Sequence, residues 1–403
     1  MNKALLKKQS ELYSSFYLYD EKMIVEQIKA LNEHFPYVEF LYSIKCNPNP
    51  HVLRAVFSRG LGADAASSEE VHKAVMCGLP KDKIYFSAPG KLRMDIYETM
   101  GQSITIADSI GEIKRIQISA KKRNIVADIG VRINPDFSFC GGEGSSSKFG
   151  IDEDQLYSFI ENEDMSNIRI NGIHVHLHSQ ELDADVLSKY HENVFKLAER
   201  VESYLHADLE YINFGSGIGI DFALTDKPMD LKKLSDSFKV HYDAYHTSHP
   251  VTKIYIETGR FAVGKAGTYV MRVIDRKVSY GKTYIILKNT LNGFLKPSVA
   301  RMIAHLMGEE PDAMWEPMYT GRDTFQFIPL KDGEPTEKVD LVGCLCTGTD
   351  VIAEDIMMPH LAEGDAVAIP NAGAYAAVLS PMQFASLKKP TELFLDVDGN
   401  IKI

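Results

Sequence analysis

The sequence predicts an α/β fold: a (β/α)8 TIM barrel joined to a C-terminal β-barrel or β-sandwich domain. Three features predict it. Short apolar runs alternate with amphipathic segments through the first two-thirds of the 403 residues. Eight such alternations fill roughly 230 residues, close to the length that eight strand–helix units need. Near residue 265 the alternation gives way to strand-like runs separated by turns. A doubly wound open sheet is the competing reading of the alternation alone.

The eight runs are VEFLYSIK (38–45), GADAAS (62–67), KIYFSAP (83–89), SITIAD (103–108), VADIGVRIN (126–134), RINGIHVHLHS (169–179), YINFGSG (211–217) and KIYIETGR (253–260). Helix-like segments lie between them. In the longest, Val186, Leu187, Tyr190, Val194, Leu197 and Val201 fall at helical spacing. SSEE and DEDQ supply the small and acidic residues that favour a helix start. TYVMRVIDRKV, KTYIILKN, VDLVGCLC, DAVAIPN and TELFLDV then read as strands, and FYLYD (16–20) as a strand that joins them. The expected division is 25–265 for the barrel and 266–403, with 1–24, for the β domain.

Composition narrows the function classes. Apolar residues make up 45% and charged residues 25%, as in ordinary globular proteins. A net charge of -11 argues against nucleic acid and anionic membranes as partners, since both attract basic surfaces. Five scattered cysteines form no disulfide framework, and Cys344 and Cys346 lack a second pair with which to hold zinc. No metal is expected. The N-terminus has no signal-like apolar core and no run spans a membrane, so a cytoplasmic protein is expected.

Four clusters at the C-terminal ends of the predicted strands carry chemistry, where barrel enzymes place their sites. Lys45 ends the first run. It either emerges into solvent or sits in a partly desolvated mouth where its amine can form a Schiff base. His174, His176 and His178 share one strand face. They read as a metal cluster, as hydrogen-bonded core residues, or as a ring stacked on an aromatic cofactor. FGSGIG (214–219) is either a simple turn or one whose glycines let backbone amides approach an anion. ETGR (257–260) is either a surface ion pair or a carboxylate set beside a cofactor nitrogen, with Arg260 near phosphate.

YSIKCNPNP, GADAASSEE, VRINPD, SKFG, GIHVHLHSQ, FGSGIG, ETGR, LVGCLCTGTD and NAGAY occur in this order across residues 16–390. The set resembles the fold-type III decarboxylases that use pyridoxal 5'-phosphate (PLP), among them the diaminopimelate, ornithine and arginine decarboxylases. The resemblance implies an alanine racemase-like N-terminal barrel, PLP as cofactor, and a homodimer with active sites at the interface. It implies that Lys45 carries the cofactor, that His176 stacks on its ring, and that Ser179, Gly215, Ser216, Gly217, Gly259, Arg260 and Tyr375 surround its phosphate. Asp64, Glu70 and Arg132 then support the lysine and the ring, and Cys346 protonates the product from the neighbouring subunit. A carboxylate at Glu257 keeps the ring nitrogen protonated, which makes the ring a strong electron sink and favours decarboxylation over racemisation.

The substrate positions depart from the family. Ornithine and diaminopimelate decarboxylases follow the cysteine with Asp or Glu, which pairs with the distal end of the substrate; here Thr347 follows. A hydroxyl cannot balance a buried ammonium. Lys296–Pro297 stands where an arginine–proline element reads a distal carboxylate, Ala300 where an aromatic is usual, His178 where a glycine precedes Ser179, and Cys344 where a proline is usual. Lys296, Thr347, Asp350 and Tyr375 are the expected substrate contacts. The C-T-x-x-D ending, FYLYD, SAPGK and VRINPDFSF resemble the specialised butirosin- and staphyloferrin-pathway branch, which implies a conjugated or carrier-protein-bound amino acid. meso-Diaminopimelate decarboxylation is the alternative. A racemase is disfavoured by Glu257, and a non-catalytic PLP-binding regulator by Lys45, His176, Glu257 and Cys346 together.

Overall fold

The computed structural model describes residues 2–307, 316–321 and 324–403. By contacts, the chain divides into two compact units. One comprises Gln27–Ile220 and Pro228–Gly259; the other comprises Met1–Glu26, Asp221–Lys227 and Arg260–Ile403.

The first unit is a closed parallel barrel. Its eight strands are Glu39–Ser43, Gly62–Ala65, Ile84–Phe86, Ile104–Ala107, Ala127–Asn134, Ile168–His174, Tyr211–Asn213 and Lys253–Thr258. Each pairs with the next, and Lys253–Thr258 pairs with Glu39–Ser43 to close the ring. All eight apolar runs of the sequence therefore become barrel strands, and the open-sheet alternative falls. The helices between them bury one face each. The helix Ala184–Leu205 buries Leu187, Tyr190, Val194, Leu197 and Val201 of the stripe its spacing predicts, while Val186, at the stripe's edge, is only half-buried. Ser67 caps the helix Ser68–Met76 by accepting the Glu70 amide, and the Glu70 carboxylate accepts the Ala66 amide in return.

Three tyrosines floor the barrel. Tyr85, Tyr211 and Tyr255 are each at most 3% exposed, with ring centroids 5.0–5.8 Å apart. Tyr211 lies over Gly130 and Gly172, where any Cβ would collide with its ring. Both strands need glycine there so that the tyrosine can lie flat.

The second unit is a mixed sheet of nine strands among the described residues. Ser15–Asp20 sits inside it, antiparallel to Gly267–Ser279 and parallel to Thr391–Leu395. Gly267–Ser279 is long enough to serve two further neighbours besides Ser15–Asp20. It pairs with Ala366–Ile369 through its first half and with Lys282–Leu287 through its second, with a bulge between Val273 and Asp275. Phe16, Leu18, Val270, Ala368 and Leu393 form its apolar core with Leu6. Leu6 belongs to a helix, Lys3–Leu12, that the sequence reading passed over, as it did the helix Leu295–Met307 and the strand Val351–Met358. Among the described residues no helix is long and apolar enough to cross a membrane.

Candidate active site

The site residues expected from the sequence fall into two groups, one in each unit. In the barrel, Lys45 lies two residues beyond its strand, in the short helical turn Ile44–Cys46. Its Nζ sits 2.6 Å from Asp64 Oδ2, while the rest of the side chain is 42% exposed. Asp64 is fully buried and also accepts from Ser43 and Ser87. The lysine is thus held by a fixed anion at the barrel mouth. Glu70 stands close enough to feel both charges, and burial raises its carboxyl above the usual range.

The three histidines diverge in role. His174 ends its strand and is 2% exposed, with Nε2 3.1 Å from Glu257 Oε1. His178 stacks on Phe139, with centroids 4.6 Å apart. His176 Nδ1 accepts the Ser216 amide at 3.0 Å. Burial, together with the positive charges of Arg132 and Lys45, lowers this imidazole to about 3. The ring is therefore neutral. With Nδ1 accepting, its proton lies on Nε2, 3.4 Å from Ser179 Oγ. Each ring thus meets a different neighbour: Glu257, the Ser216 amide and Phe139.

Glu257 is 3% exposed. Burial alone would raise its carboxyl; His174, Lys45 and His176 outweigh burial and hold it well below the usual carboxylate range. Asn213 donates to its Oε1 at 3.1 Å and also accepts the Gly215 amide at 2.9 Å. One side chain thereby fixes the carboxylate and the start of the glycine turn. Gly215 has φ +64°, and a Cβ there would strike Val175 and His176; a Cβ on Gly217 would lie 2.7 Å from Leu187. The turn is consequently bare backbone. Arg132 donates to the His176 carbonyl at 3.3 Å, lies 3.6 Å from Asp108, and packs over Phe149. Gly259 closes the eighth strand against Cys46, where a Cβ would meet Sγ at 3.0 Å.

In the second unit, Arg260 is 6% exposed and pairs with Glu316, with Tyr375 and Phe222 beside its guanidinium. Its Nη1 is buried without a hydrogen-bond partner. Lys296 is 3% exposed and donates to Thr320 Oγ1 at 2.8 Å. Burial, then Arg260, lowers its amine to about 7. Cys344 and Cys346 are exposed on the loop that follows Glu337–Gly343. Thr347 bonds to Thr349, 2.9 Å away. Asp350, expected from the sequence to touch substrate, is 3% exposed and turned inward. It accepts Leu291 N at 3.0 Å, Leu345 N at 2.9 Å and the Thr290 hydroxyl. Gly343 is obligatory beside it, since a Cβ would collide with the Asp350 carboxylate and Thr290.

Residues 21–264 match the family model for the pyridoxal-binding domain of pyridoxal-dependent decarboxylases. The chain belongs to the pyridoxal-dependent decarboxylases. A relative from Niallia circulans, L-glutamyl-[BtrI acyl-carrier protein] decarboxylase, is 30% identical over 94% of this chain and 88% of its own length. Diaminopimelate decarboxylase of Bacteroides thetaiotaomicron is 28% identical, with 92% of each chain covered. The crystal structure of diaminopimelate decarboxylase from Helicobacter pylori complexed with L-lysine superposes with TM-score 0.80 at 25% identity, over 96% of this chain and 92% of that one.

This pyridoxal-dependent decarboxylase is a carboxy-lyase whose cofactor is PLP. Its own residues fit that group. The bare turn at Gly215–Gly217 suits a phosphate, the ionised Glu257 suits a pyridinium, and Lys45 suits an aldehyde; in the other unit the orphaned Arg260 Nη1 suits an anion. Sequence reasoning missed Asn213, His174 as the partner of Glu257, Ser43 and Ser87 on Asp64, and Glu316 on Arg260. Only His174 carried a signal, through its period-two spacing with His176.

Proposed function

We propose that this decarboxylase acts on an amino acid whose distal end is conjugated or carrier-bound and therefore uncharged. The observation that carries the reading is the state of the two elements expected to meet that end. The loop after Cys346 offers Thr347, and its one carboxylate, Asp350, is consumed inside the loop. Lys296 is buried, bonded to Thr320 and half-neutral near pH 7. Neither element supplies a fixed charge. A free diamine would leave an ammonium unpaired, which destabilises a complex by several kcal/mol. The Niallia circulans relative, named for a glutamyl group on a carrier protein, supports the same reading.

Lys45 is the lysine that attaches the cofactor, kept at the mouth by Asp64. When bound, PLP supplies a sink for the electron pair left as CO2 departs. Glu257, anchored by His174 and Asn213, holds a proton on the ring nitrogen. His176, neutral with its proton on Nε2, offers a flat uncharged face for stacking. The Gly215–Gly217 amides and Ser179 would hold the phosphate of bound PLP. Cys346 delivers the proton that completes the product. It is exposed on its own unit, as a thiol must be if it serves a second copy's barrel in a homodimer.

The test is CO2 release by the PLP-saturated protein. The panel comprises meso-diaminopimelate, ornithine, lysine, arginine and glutamate, each free, with glutamyl-pantetheine thioester as the conjugate. Turnover of the thioester with near-silence on the free amino acids is expected. Rapid turnover of diaminopimelate would replace this reading with the second one, which the Lys296–Pro297 element and the diaminopimelate decarboxylase relatives favour.

A further inference from the structure

Away from the cofactor residues, the barrel unit brings together Glu202, Asp208 and His249, whose ligand atoms all lie within 4.8 Å of one another. Glu202 is near the end of the helix Ala184–Leu205, and His249 directly follows the helix Leu231–Ser248. Asp208 lies just before the seventh barrel strand. Glu202 is 7% exposed. Its Oε1 accepts the Leu209 amide at 2.9 Å and the Tyr245 hydroxyl at 2.7 Å. Its Oε2 is buried with no hydrogen bond, and it faces His249 Nε2 across 3.2 Å.

The imidazole orientation is informative. His249 Nδ1 is 3.1 Å from the Tyr245 carbonyl oxygen, and the ring stacks on Tyr245 at 4.3 Å. A carbonyl only accepts, so Nδ1 carries the proton. A neutral His249 then turns its Nε2 lone pair onto a carboxylate oxygen. That arrangement requires a positive charge between them, either a second proton or a cation.

Asp208 favours the cation. Its Oδ1 is 4.0 Å from the same Nε2. Two carboxylates and one neutral imidazole balance a dication; tetrahedral bonds of about 2.0–2.2 Å space neighbouring ligand atoms roughly 3.3–3.6 Å apart, which the 3.2 Å between Glu202 and His249 nearly matches, and the exposed Asp208, at 4.0 Å, must swing in by a few tenths of an ångström. The Nδ1–H to carbonyl contact is the outer-shell bond that orients metal-binding histidines. Asp208 also lines a cavity of about 310 Å³ at the N-terminal end of the barrel, opposite the Lys45 mouth.

We propose that Glu202, Asp208 and His249 form a site for a divalent ion of the zinc class, separate from the decarboxylation chemistry. The ion ties the ends of two helices to the segment that leads into the seventh strand.

The experiment titrates chelator-stripped, PLP-loaded enzyme with zinc chloride by calorimetry, with magnesium as control. One equivalent of zinc should bind and raise Tm in a concentration-dependent way; magnesium should do neither. Asp208→Asn, at an exposed position that folding tolerates, should weaken binding about tenfold or more. His249→Gln should abolish the zinc-dependent rise in Tm. Cobalt should give d–d bands without a thiolate charge-transfer band. Absence of saturable zinc binding would leave an ion pair between Glu202 and an imidazolium. Binding unchanged in Asp208→Asn, or a thiolate band, would place the ion at the cysteines and overturn the site.

Discussion

His176 accepts the Ser216 amide at Nδ1 across 3.0 Å, so the glycine turn itself selects the histidine tautomer. The ring is lowered to about 3, as is His191 in the helix behind it. Unfolded, both rings titrate near ~6.5. Below that value the unfolded chain binds more protons than the native state. Stability is therefore complete above about pH 6.5 and is lost as pH falls toward 3, by up to about 1.4 kcal/mol per pH unit for each ring. Urea midpoints at pH 7.5 and 5 should show this loss, and His176→Gln should remove part of it. An unchanged pH slope in that variant would refute the neutral assignment.

Glu257→Gln replaces an ionised acceptor with an amide that cannot hold a proton on the ring nitrogen. Decarboxylation should fall by about 100-fold or more, in line with the loss of a positioned proton-holding group. Single-turnover CO2 release measures it, and cofactor absorbance confirms that PLP remains bound. Full activity would remove Glu257 from the mechanism.

Cys346→Ala should slow product formation, or direct the proton to the wrong carbon, while leaving cofactor absorbance intact. The product distribution in D2O reads both effects. If rate and product are both normal, the thiol is not the donor.

Thr347→Asp restores a carboxylate at a half-buried loop position. kcat/KM for substrates with a distal ammonium should rise relative to the conjugate, by about 10- to 100-fold if the new charge removes a penalty of a few kcal/mol. A ratio that does not move would show that Thr347 does not face the substrate.

Lys296 loses its proton near pH 7, because burial and Arg260 destabilise the charged form. For substrates that end in a free carboxylate, KM should climb above pH 7, approaching about tenfold per pH unit, and Lys296→Arg should flatten the profile, since arginine stays charged. A KM independent of pH in the native enzyme would mean that Lys296 reads no carboxylate.

The barrel was legible because its strands are short, apolar and separated by helix-like segments; the alternation alone also suited an open sheet, and the pairing of Lys253–Thr258 with Glu39–Ser43 decides for the closed ring. Lys45, His176 and Glu257 stood out in the sequence because each lies at the C-terminal end of an apolar run as a polar side chain that such a run seldom carries. The supporting residues were not. Asn213 sits within YINFGSG as an unremarkable polar residue, and only the fold shows that it serves Glu257 and Gly215 together. Asp350 looked like a substrate contact from its place after Cys346, because sequence spacing does not say which way a loop side chain turns. The helix Leu295–Met307 was missed for a related reason: Lys296–Pro297 drew attention as a motif, while a proline in a helix's first turn is also a good start.

Asp350 has a consequence for how such enzymes diversify. It fastens the 343–350 loop from within, by Leu345 on one side and Leu291 on the other, and leaves Cys346 to Thr349 as a tip. The tip holds to the strand that follows through backbone only: Thr347 and Thr349 carbonyls accept the Asp350 and Val351 amides. Its residues can be exchanged one at a time, or grafted whole from a relative, while the loop stays in register. The architecture separates the hinge from the key, and new substrate preferences can arise here by small steps that leave the protein folded.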